Sequence, residues 1–163
     1  MGRRSAGGDA TPAFAALRRA GVSSTAHSYE HDPRAESFGL EGAEALGLDP
    51  GRVFKTLVID TGGTLAVAVI PVSARLDLKA GAAALGAKRA TMADPQAAQR
   101  ATGYVVGGIS PFGQRTRLRT VVDVSVSRWP TIFVSGGRRG LEAEVSATDL
   151  IDLTDAVVAA IAR

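Results

Sequence analysis

The sequence predicts one α+β domain built on a mixed or barrel-like sheet, and three observations carry that prediction. The chain has 163 residues, 45% hydrophobic and 21% charged, which is the size of one ordinary domain with enough apolar material for a core. Strand-forming and helix-forming runs are interspersed without the regular strand–helix–strand alternation of a doubly wound parallel sheet. Aromatics make up only 5% while Ala, Val, Leu and Gly abound, so the core should be aliphatic and tightly packed. No repeat or low-complexity block stands out. Residues 1–10 read as a flexible leader and 11–163 as a single domain.

The elements follow in order. Thr11-Pro12 opens a helix over 13–20, with a capping hydroxyl, a first-turn proline, and Phe14, Leu17 and Ala20 at helical spacing. Gly21 stops it. A short strand is expected over 22–29, leaving through Glu30-His31-Asp32-Pro33. A second helix over 37–46 begins at Ser37 and carries Phe38 in its first turn. Val53, Leu57, Val58 and Ile59 mark a strand within 51–60, bounded by Pro50-Gly51 and Asp60-Thr61-Gly62-Gly63. The strand over 64–72 alternates little and is expected to be buried on both sides; the Gly-Gly turn makes the two an antiparallel hairpin. A helix over 77–85 closes at Gly86, a short strand is expected over 88–91, and Asp94-Pro95 caps a helix to about residue 101. A short apolar strand then runs from Tyr104 into Gly107-Gly108 and Ser110-Pro111. Strands over 120–126 and 131–134 follow, the second emptying into Ser135-Gly136-Gly137. A strand over 141–145 holds Glu142 and Glu144 on one face, and Ser146 opens a helical region through 162 with a break near Asp152.

One lysine interrupts the apolar run of 51–60. Alternation puts Lys55, Leu57 and Ile59 on the same strand face, so the ammonium points where apolar side chains point. Such a charge is costly unless a polar group meets it or its head reaches water. Taken alone, the stretch fits a lysine snorkelling from a strand end as well as a lysine placed in a cleft to meet a substrate. Gly107-Gly108 permits positive φ and close approach of backbone amides to a ligand, though it matches no Walker or Rossmann pattern and a plain turn is the alternative.

Several chemistries are excluded or disfavoured. Without cysteine there is no disulfide, thiolate metal site or enzyme-borne thiol nucleophile. His27 and His31 lie four apart, but the stretch around His27 reads as extended and no third ligand cluster is evident; no metal and no cofactor is expected. No apolar run approaches the roughly 18 residues of a membrane span. Nothing apolar follows Arg3 and Arg4, so no secretory signal is expected and the expected location is cytoplasmic. A net charge of +3 does not mark a nucleic-acid binder. Its distribution says more: Arg115, Arg117 and Arg119 come in quick succession, with Arg138-Arg139 elsewhere, forming either a solvated loop face or a seat for an RNA backbone.

Seven segments, in order from residue 11, resemble the bacterial YbaK/EbsC family, free-standing relatives of the editing domain inserted in prolyl-tRNA synthetases. They are Thr11-Pro12-Ala13, His27-Ser-Tyr-Glu-His-Asp32, Val53-Phe-Lys-Thr-Leu57, Leu76-Asp-Leu-Lys79, Ala93-Asp-Pro95, Gly103-Tyr-Val-Val-Gly-Gly-Ile-Ser-Pro111 and Val134-Ser-Gly-Gly-Arg-Arg-Gly-Leu141. The Tyr-Glu-His-Asp and Ala-Asp-Pro segments are similar to the YbaK subtype, a Cys-tRNA(Pro) deacylase. The resemblance implies a mixed, largely antiparallel sheet curled into a partial barrel with helices packed around it. It implies hydrolysis of the ester joining a wrong amino acid to tRNA. By the same resemblance Lys55 matches the lysine that family activity requires, with Thr56 beside it, and Tyr29 and Phe38 match aromatic positions next to the pocket. Gly107, Gly108, Ile109, Ser110 and Pro111 match the loop whose backbone holds the terminal adenosine and aminoacyl group. Ser135, Gly136 and Gly137 match a second pocket wall. Glu142 falls where the family usually carries aspartate, one methylene shorter.

The YbaK resemblance also implies a mechanism: the substrate's own cysteine thiol attacks its ester carbonyl, giving a cyclic thiolactone and free tRNA. A sequence with no thiol and no obvious Ser-His-Asp set accords with it, because positioning and backbone donors suffice when nucleophile and electrophile share one molecule. Lys55 is then expected to stay charged and hold the substrate. The expected partners are the acceptor end of an aminoacyl-tRNA and prolyl-tRNA synthetase, which would supply the choice of tRNA. Two other readings stand beside this one. One is a deacylase for alanine or another small amino acid that uses water; the other is a non-catalytic tRNA- or nucleotide-binding module.

Overall fold

The computed structural model describes residues 10–163; residues 1–9, nearly all of the expected leader, lie outside the described residues. Helix α1 spans Pro12–Ala20, with Thr11 extended and its hydroxyl accepting from the Phe14 amide at 3.3 Å. Gly21, at φ 69°, closes it in the left-handed region. The Val22 amide folds back onto the Leu17 carbonyl at 3.3 Å. That bond takes Val22 out of the strand expected over 22–29, and β1 covers only Thr25–Ser28.

The remaining strands are β2 (Phe54–Asp60), β3 (Leu65–Pro71), β4 (Thr91–Met92), β5 (Arg119–Asp123), β6 (Thr131–Arg138), β7 (Leu141–Ser146) and β8 (Val157–Ala159). The fold is mixed α+β, as expected, but the strands divide between two sheets instead of one. The first is antiparallel, in the order β1-β7-β6. The second has the order β4-β2-β3-β5-β8, with β2–β3 and β2–β4 antiparallel and β3–β5 and β5–β8 parallel. Val53 joins the sheets: it bridges Phe133 in parallel, its carbonyl takes the Val72 amide at 2.8 Å, and the Phe133 amide donates to the Arg52 carbonyl at 3.1 Å. No closed barrel forms among the described residues.

Four further helices complete the described chain: α2 (Phe38–Ala45), α3 (Leu78–Ala84), α4 (Pro95–Thr102) and α5 (Ala147–Thr154). Ser37, Asp77, Asp94 and Ser146 cap them with side-chain oxygens. β3 is buried on both faces, as its lack of alternation predicts. Val67 and Val69 join the main core with Phe14, Leu17, Ile132 and Leu150; Ala66, Ala68 and Ile70 join a second cluster with Val121 and Ile161. β2 alternates between the same two clusters, Phe54 and Val58 facing one and Leu57 and Ile59 the other.

Four further differences from the sequence reading have identifiable reasons. The terminal helix stops at Thr154, where Asp155 takes φ 50°, and the β-branched Val157 and Val158 pair in parallel with β5 instead of continuing the helix to 162. Asp123 pins the tail beyond, accepting from the Ile161 and Ala162 amides at 3.0 and 2.9 Å. Asp123 also accepts from the Ser125 amide at 3.1 Å, so β5 ends there and a 3₁₀ turn over Val124–Arg128 replaces the strand expected to 126. The short strand expected over 88–91 lies later, as β4, where Thr91 and Met92 oppose Asp60 and Ile59. No strand forms at 104–106. Side chains hold that segment instead: Tyr104 donates its hydroxyl to the Phe112 carbonyl at 2.6 Å, and the Val106 amide donates to Gln99 Oε1 at 2.9 Å.

Candidate active site

A cavity of about 440 Å³ opens where the two sheets, α2, α4 and the loop after α4 meet. β2 supplies its floor through Phe54, Lys55, Thr56, Leu57 and Val58. Phe38 and Gly39 enter from the first turn of α2, Val106, Gly107 and Ile109 from the loop, and Ser135 and Glu142 from β6 and β7. Its walls are mainly apolar, so each polar group in them carries weight.

Lys55 is half-buried, opposite Ile70 in the hairpin. Burial lowers its pKa, and the nearby Arg75 charge lowers it further. Among the described residues its ammonium makes no hydrogen bond or ion pair, while its backbone pairs with Ile70 in the β2–β3 ladder. An anion in the cavity would relieve both penalties. Two other residues of the wall carry a buried polar atom that has no partner among the described residues, Thr56 at Oγ1 and Glu142 at Oε2. Buried polar atoms are nearly always paired, so two orphans in one cavity point to a ligand that completes them.

Glu142 and Glu144 share a strand face, as expected, yet their environments oppose each other. Burial raises Glu144 as well, but hydrogen bonds from Thr131 and His27 and the charges of His27 and Arg52 prevail and hold its carboxyl below the ordinary value. Glu142 is 6% exposed and has no such partners among the described residues, and burial pushes its carboxyl up to about 8. Burial, and then Glu142, push the Tyr29 hydroxyl up to about 12. Helix α2 approaches both because position 42 has no side chain: a Cβ on Gly42 would stand 2.9 Å from Glu142 Oε1 and 3.2 Å from the Tyr29 hydroxyl oxygen.

The two glycine pairs do different things. Gly107 has φ 89°, and a Cβ there would meet the Phe38 ring at 2.6 Å and Arg139 Nε at 2.9 Å. A Cβ on Gly108 would strike the Arg138 backbone at 2.8 Å, so the two loops pack main chain to main chain. Gly136 and Gly137 sit in the β-bulge between Ser135 and Arg138 and face α1: a Cβ on Gly136 would meet Leu141 and Phe14, and the Gly136 carbonyl takes the Thr11 hydroxyl at 2.6 Å. Their place is structural, turning the strand and docking α1, and neither lines the cavity.

The fold therefore gathers Phe38, Lys55, Thr56, Gly107, Ile109, Ser135 and Glu142 around one space. Tyr29 reaches it only by way of Glu142 and Gly42. Ser110 is fully buried, its hydroxyl accepting from the Phe112 amide at 3.2 Å, and Pro111 lines a separate, smaller cavity of about 230 Å³. Several of the arginines are already engaged: Arg119 caps the Leu85 carbonyl at 2.7 Å, Arg115 reaches the Arg100 carbonyl at 3.4 Å, and Arg139 bonds the Val106 carbonyl. Sequence reasoning missed Val106, Met92 and the small residue at 42. No local motif signals them, since each matters only through what a distant segment brings beside it. His27 and His31 face different carboxylates, Glu144 at 3.0 Å and Glu41 at 2.8 Å. Among the described residues no group of three or more His, Cys, Asp or Glu side chains converges, and no helix is long and apolar enough to cross a membrane.

A mainly apolar cavity with an unpaired lysine and a glycine-lined backbone wall suits a small polar group carried on a larger molecule. Comparison with known proteins gives the class. Residues 33–153 match the family described as the aminoacyl-tRNA editing domain, and the chain belongs to that family. It is 39% identical over 114 residues to EbsC of Enterococcus faecalis, a candidate Cys-tRNA(Pro)/Cys-tRNA(Cys) deacylase, covering 69% of this chain and 70% of that one. It is 28% identical over 115 residues to the uncharacterised YwhH of Bacillus subtilis, covering 70% and 73%. Its fold matches a solved candidate trans-editing enzyme for prolyl-tRNA synthetase with a TM-score of 0.83, at 24% identity, over 99% of both chains.

Proposed function

We propose that this protein is a trans-acting deacylase that removes mischarged cysteine from tRNA(Pro). The observation that carries the reading is the convergence of Lys55, the orphaned Thr56 and Glu142 oxygens and the Gly107 loop on one cavity, in a chain of the aminoacyl-tRNA editing family. The similarity to EbsC supports cysteine as the amino acid, although that relative's name covers tRNA(Pro) and tRNA(Cys) alike; the fold shared with a candidate trans-editing enzyme for prolyl-tRNA synthetase favours tRNA(Pro) as the carrier.

In the proposed reaction the substrate supplies its own nucleophile. The cysteine sulfur attacks the ester carbonyl, a carbon–sulfur bond forms and the carbon–oxygen bond to the ribose breaks. The thiol proton ends on the ribose oxygen, leaving free tRNA and a cyclic thiolactone. The protein holds the two reacting groups together, which is where most of the rate arises in an intramolecular reaction. Lys55 meets the 3′-terminal phosphate or oxygen atoms of the substrate, and backbone amides of the Gly107 loop receive the carbonyl or ribose oxygen. Prolyl-tRNA synthetase is the proposed partner, choosing the tRNA that this small domain does not read by itself.

The test is a panel of Cys-, Ser- and Ala-charged tRNAs with the Lys55→Ala variant as control. The reading expects turnover of Cys-tRNA(Pro) alone and loss of that turnover in the variant with the fold intact. Turnover of Ala-tRNA would point to a water-using deacylase, and binding without turnover to a non-catalytic module. Either result, or a fully active variant, would overturn the assignment.

A further inference from the structure

The loop between Val105 and Ile109 takes its shape from groups outside it. Gln99 fixes the Val106 amide from α4. The Val106 carbonyl receives two bonds from one side chain, Arg139 Nε at 2.9 Å and Nη2 at 2.6 Å. The same guanidinium lies 4.5 Å over the ring of Phe38, which opens α2 and lines the cavity. Arg139 thus ties three segments together from the exposed side, without lining the cavity itself.

A peptide group is planar and trans, so its carbonyl and its N–H point in opposite directions. The Val106 carbonyl and the Gly107 N–H belong to one peptide. With the carbonyl turned out to Arg139, the Gly107 N–H is turned the other way, and among the described residues it has no hydrogen-bond partner. Gly107 lines the cavity. Glycine at 107, with φ 89°, also makes the opposite orientation of this peptide accessible, because glycine tolerates either sign of φ. A flipped peptide would aim a carbonyl oxygen where the donor now points and would repel a substrate oxygen.

We infer that Arg139 is a positioning residue: it selects the orientation of the Val106–Gly107 peptide that presents the Gly107 N–H to an oxygen of the bound aminoacyl ester. The inference rests on the deacylase reading for its ligand and on the loop geometry for its mechanism, and the two are tested separately.

The experiment compares the 163-residue protein with its Arg139→Ala and Arg139→Lys variants. Single-turnover deacylation of Cys-tRNA(Pro) is measured over a range of enzyme and salt concentrations, and the Gly107 amide resonance is followed in the free proteins. A misaligned donor should lower the maximal rate of Arg139→Ala about 100-fold while half-saturation changes little. Lysine keeps the charge but not the forked pair of donors, so Arg139→Lys should restore only part of the rate. The Gly107 amide should shift in both variants, with the melting temperature nearly kept. Full rescue by lysine, or a loss confined to half-saturation that vanishes at high salt, would mean that Arg139 holds the RNA backbone, and would overturn the inference. An unmoved Gly107 amide would overturn it too. If the wild type deacylates nothing, the deacylase reading falls, and the amide shift alone decides the positioning claim.

Discussion

Replacing Glu142 by Gln isolates the most unusual ionisation in the site. The glutamine keeps the shape and polarity of the carboxyl but cannot lose a proton. In the folded protein the Glu142 carboxyl is raised from 4.5 to about 8 by burial. Between those values the unfolded chain has released the proton that the folded chain keeps, so unfolding gains ground as pH rises. Stability from this group is therefore greatest below about 4.5, falls through the neutral range and levels off above 8. Every tenfold gain in proton affinity corresponds to about 1.4 kcal/mol, so the cost by pH 7 is of order 3 kcal/mol and the full cost above pH 8 is of order 5. Glu142→Gln carries no such slope. Groups such as Asp123 and Glu144 titrate alike in both proteins and cancel in the difference. Urea unfolding or thermal melts at intervals from pH 5 to pH 9 give the readout. The variant's advantage over wild type should grow by several kcal/mol across that range, equivalent to roughly 6–12 °C in Tm for a domain this size by pH 7. A difference that stays flat from pH 5 to pH 9 would refute the account of Glu142 as a buried, unpaired acid.

Two further predictions concern the frame around the site. Asp123→Ala leaves the Ile161 and Ala162 amides without their acceptor and should cost about 2–4 kcal/mol, read by urea unfolding, with faster hydrogen exchange across β8. Burial raises the Asp123 carboxyl, but the hydrogen bonds from Ser125, Ile161 and Ala162 outweigh it and lower the pKa. Its contribution is thus present above 3.8 and is lost as pH falls further, a dependence the variant should lack. Gly42→Ala puts a methyl 2.9 Å from Glu142 Oε1 and should destabilise the protein by about 1–3 kcal/mol. Glu142→Asp, one methylene shorter, should recover part of that loss in a double-mutant cycle, and strict additivity would contradict the contact.

Local chemistry made most of the elements legible before the structure. Thr11-Pro12, Ser37, Asp77 and Asp94-Pro95 each cap the helix they announce, and the Gly62-Gly63 turn makes the β2–β3 hairpin. Partition into two sheets was not legible, because it depends on Val53 bridging Phe133 across 80 positions of sequence. Nor was β8: helical pattern near the C-terminus yields to pairing with β5 and to the Asp123 side chain. In the site, alternation placed Lys55 with Leu57 and Ile59, and the cavity then formed beside it. The Gly136-Gly137 pair looked like the Gly107-Gly108 pair in sequence, yet only a three-dimensional neighbourhood separates a glycine facing α1 from one facing a cavity. Glu142 was visible as a residue, while its burial without an ion-pair partner among the described residues is a property of packing.

The most direct test of the proposed chemistry is the ratio of deacylation rates on Cys-tRNA(Pro) and Ser-tRNA(Pro), measured with the same enzyme at one pH near neutral. The two substrates differ in one atom, sulfur for oxygen. If the substrate's own thiol is the nucleophile, cysteine should be released as a thiolactone and serine should stay on the tRNA. Comparable rates on both, with free amino acid as the product, would show that water is the nucleophile and contradict the account.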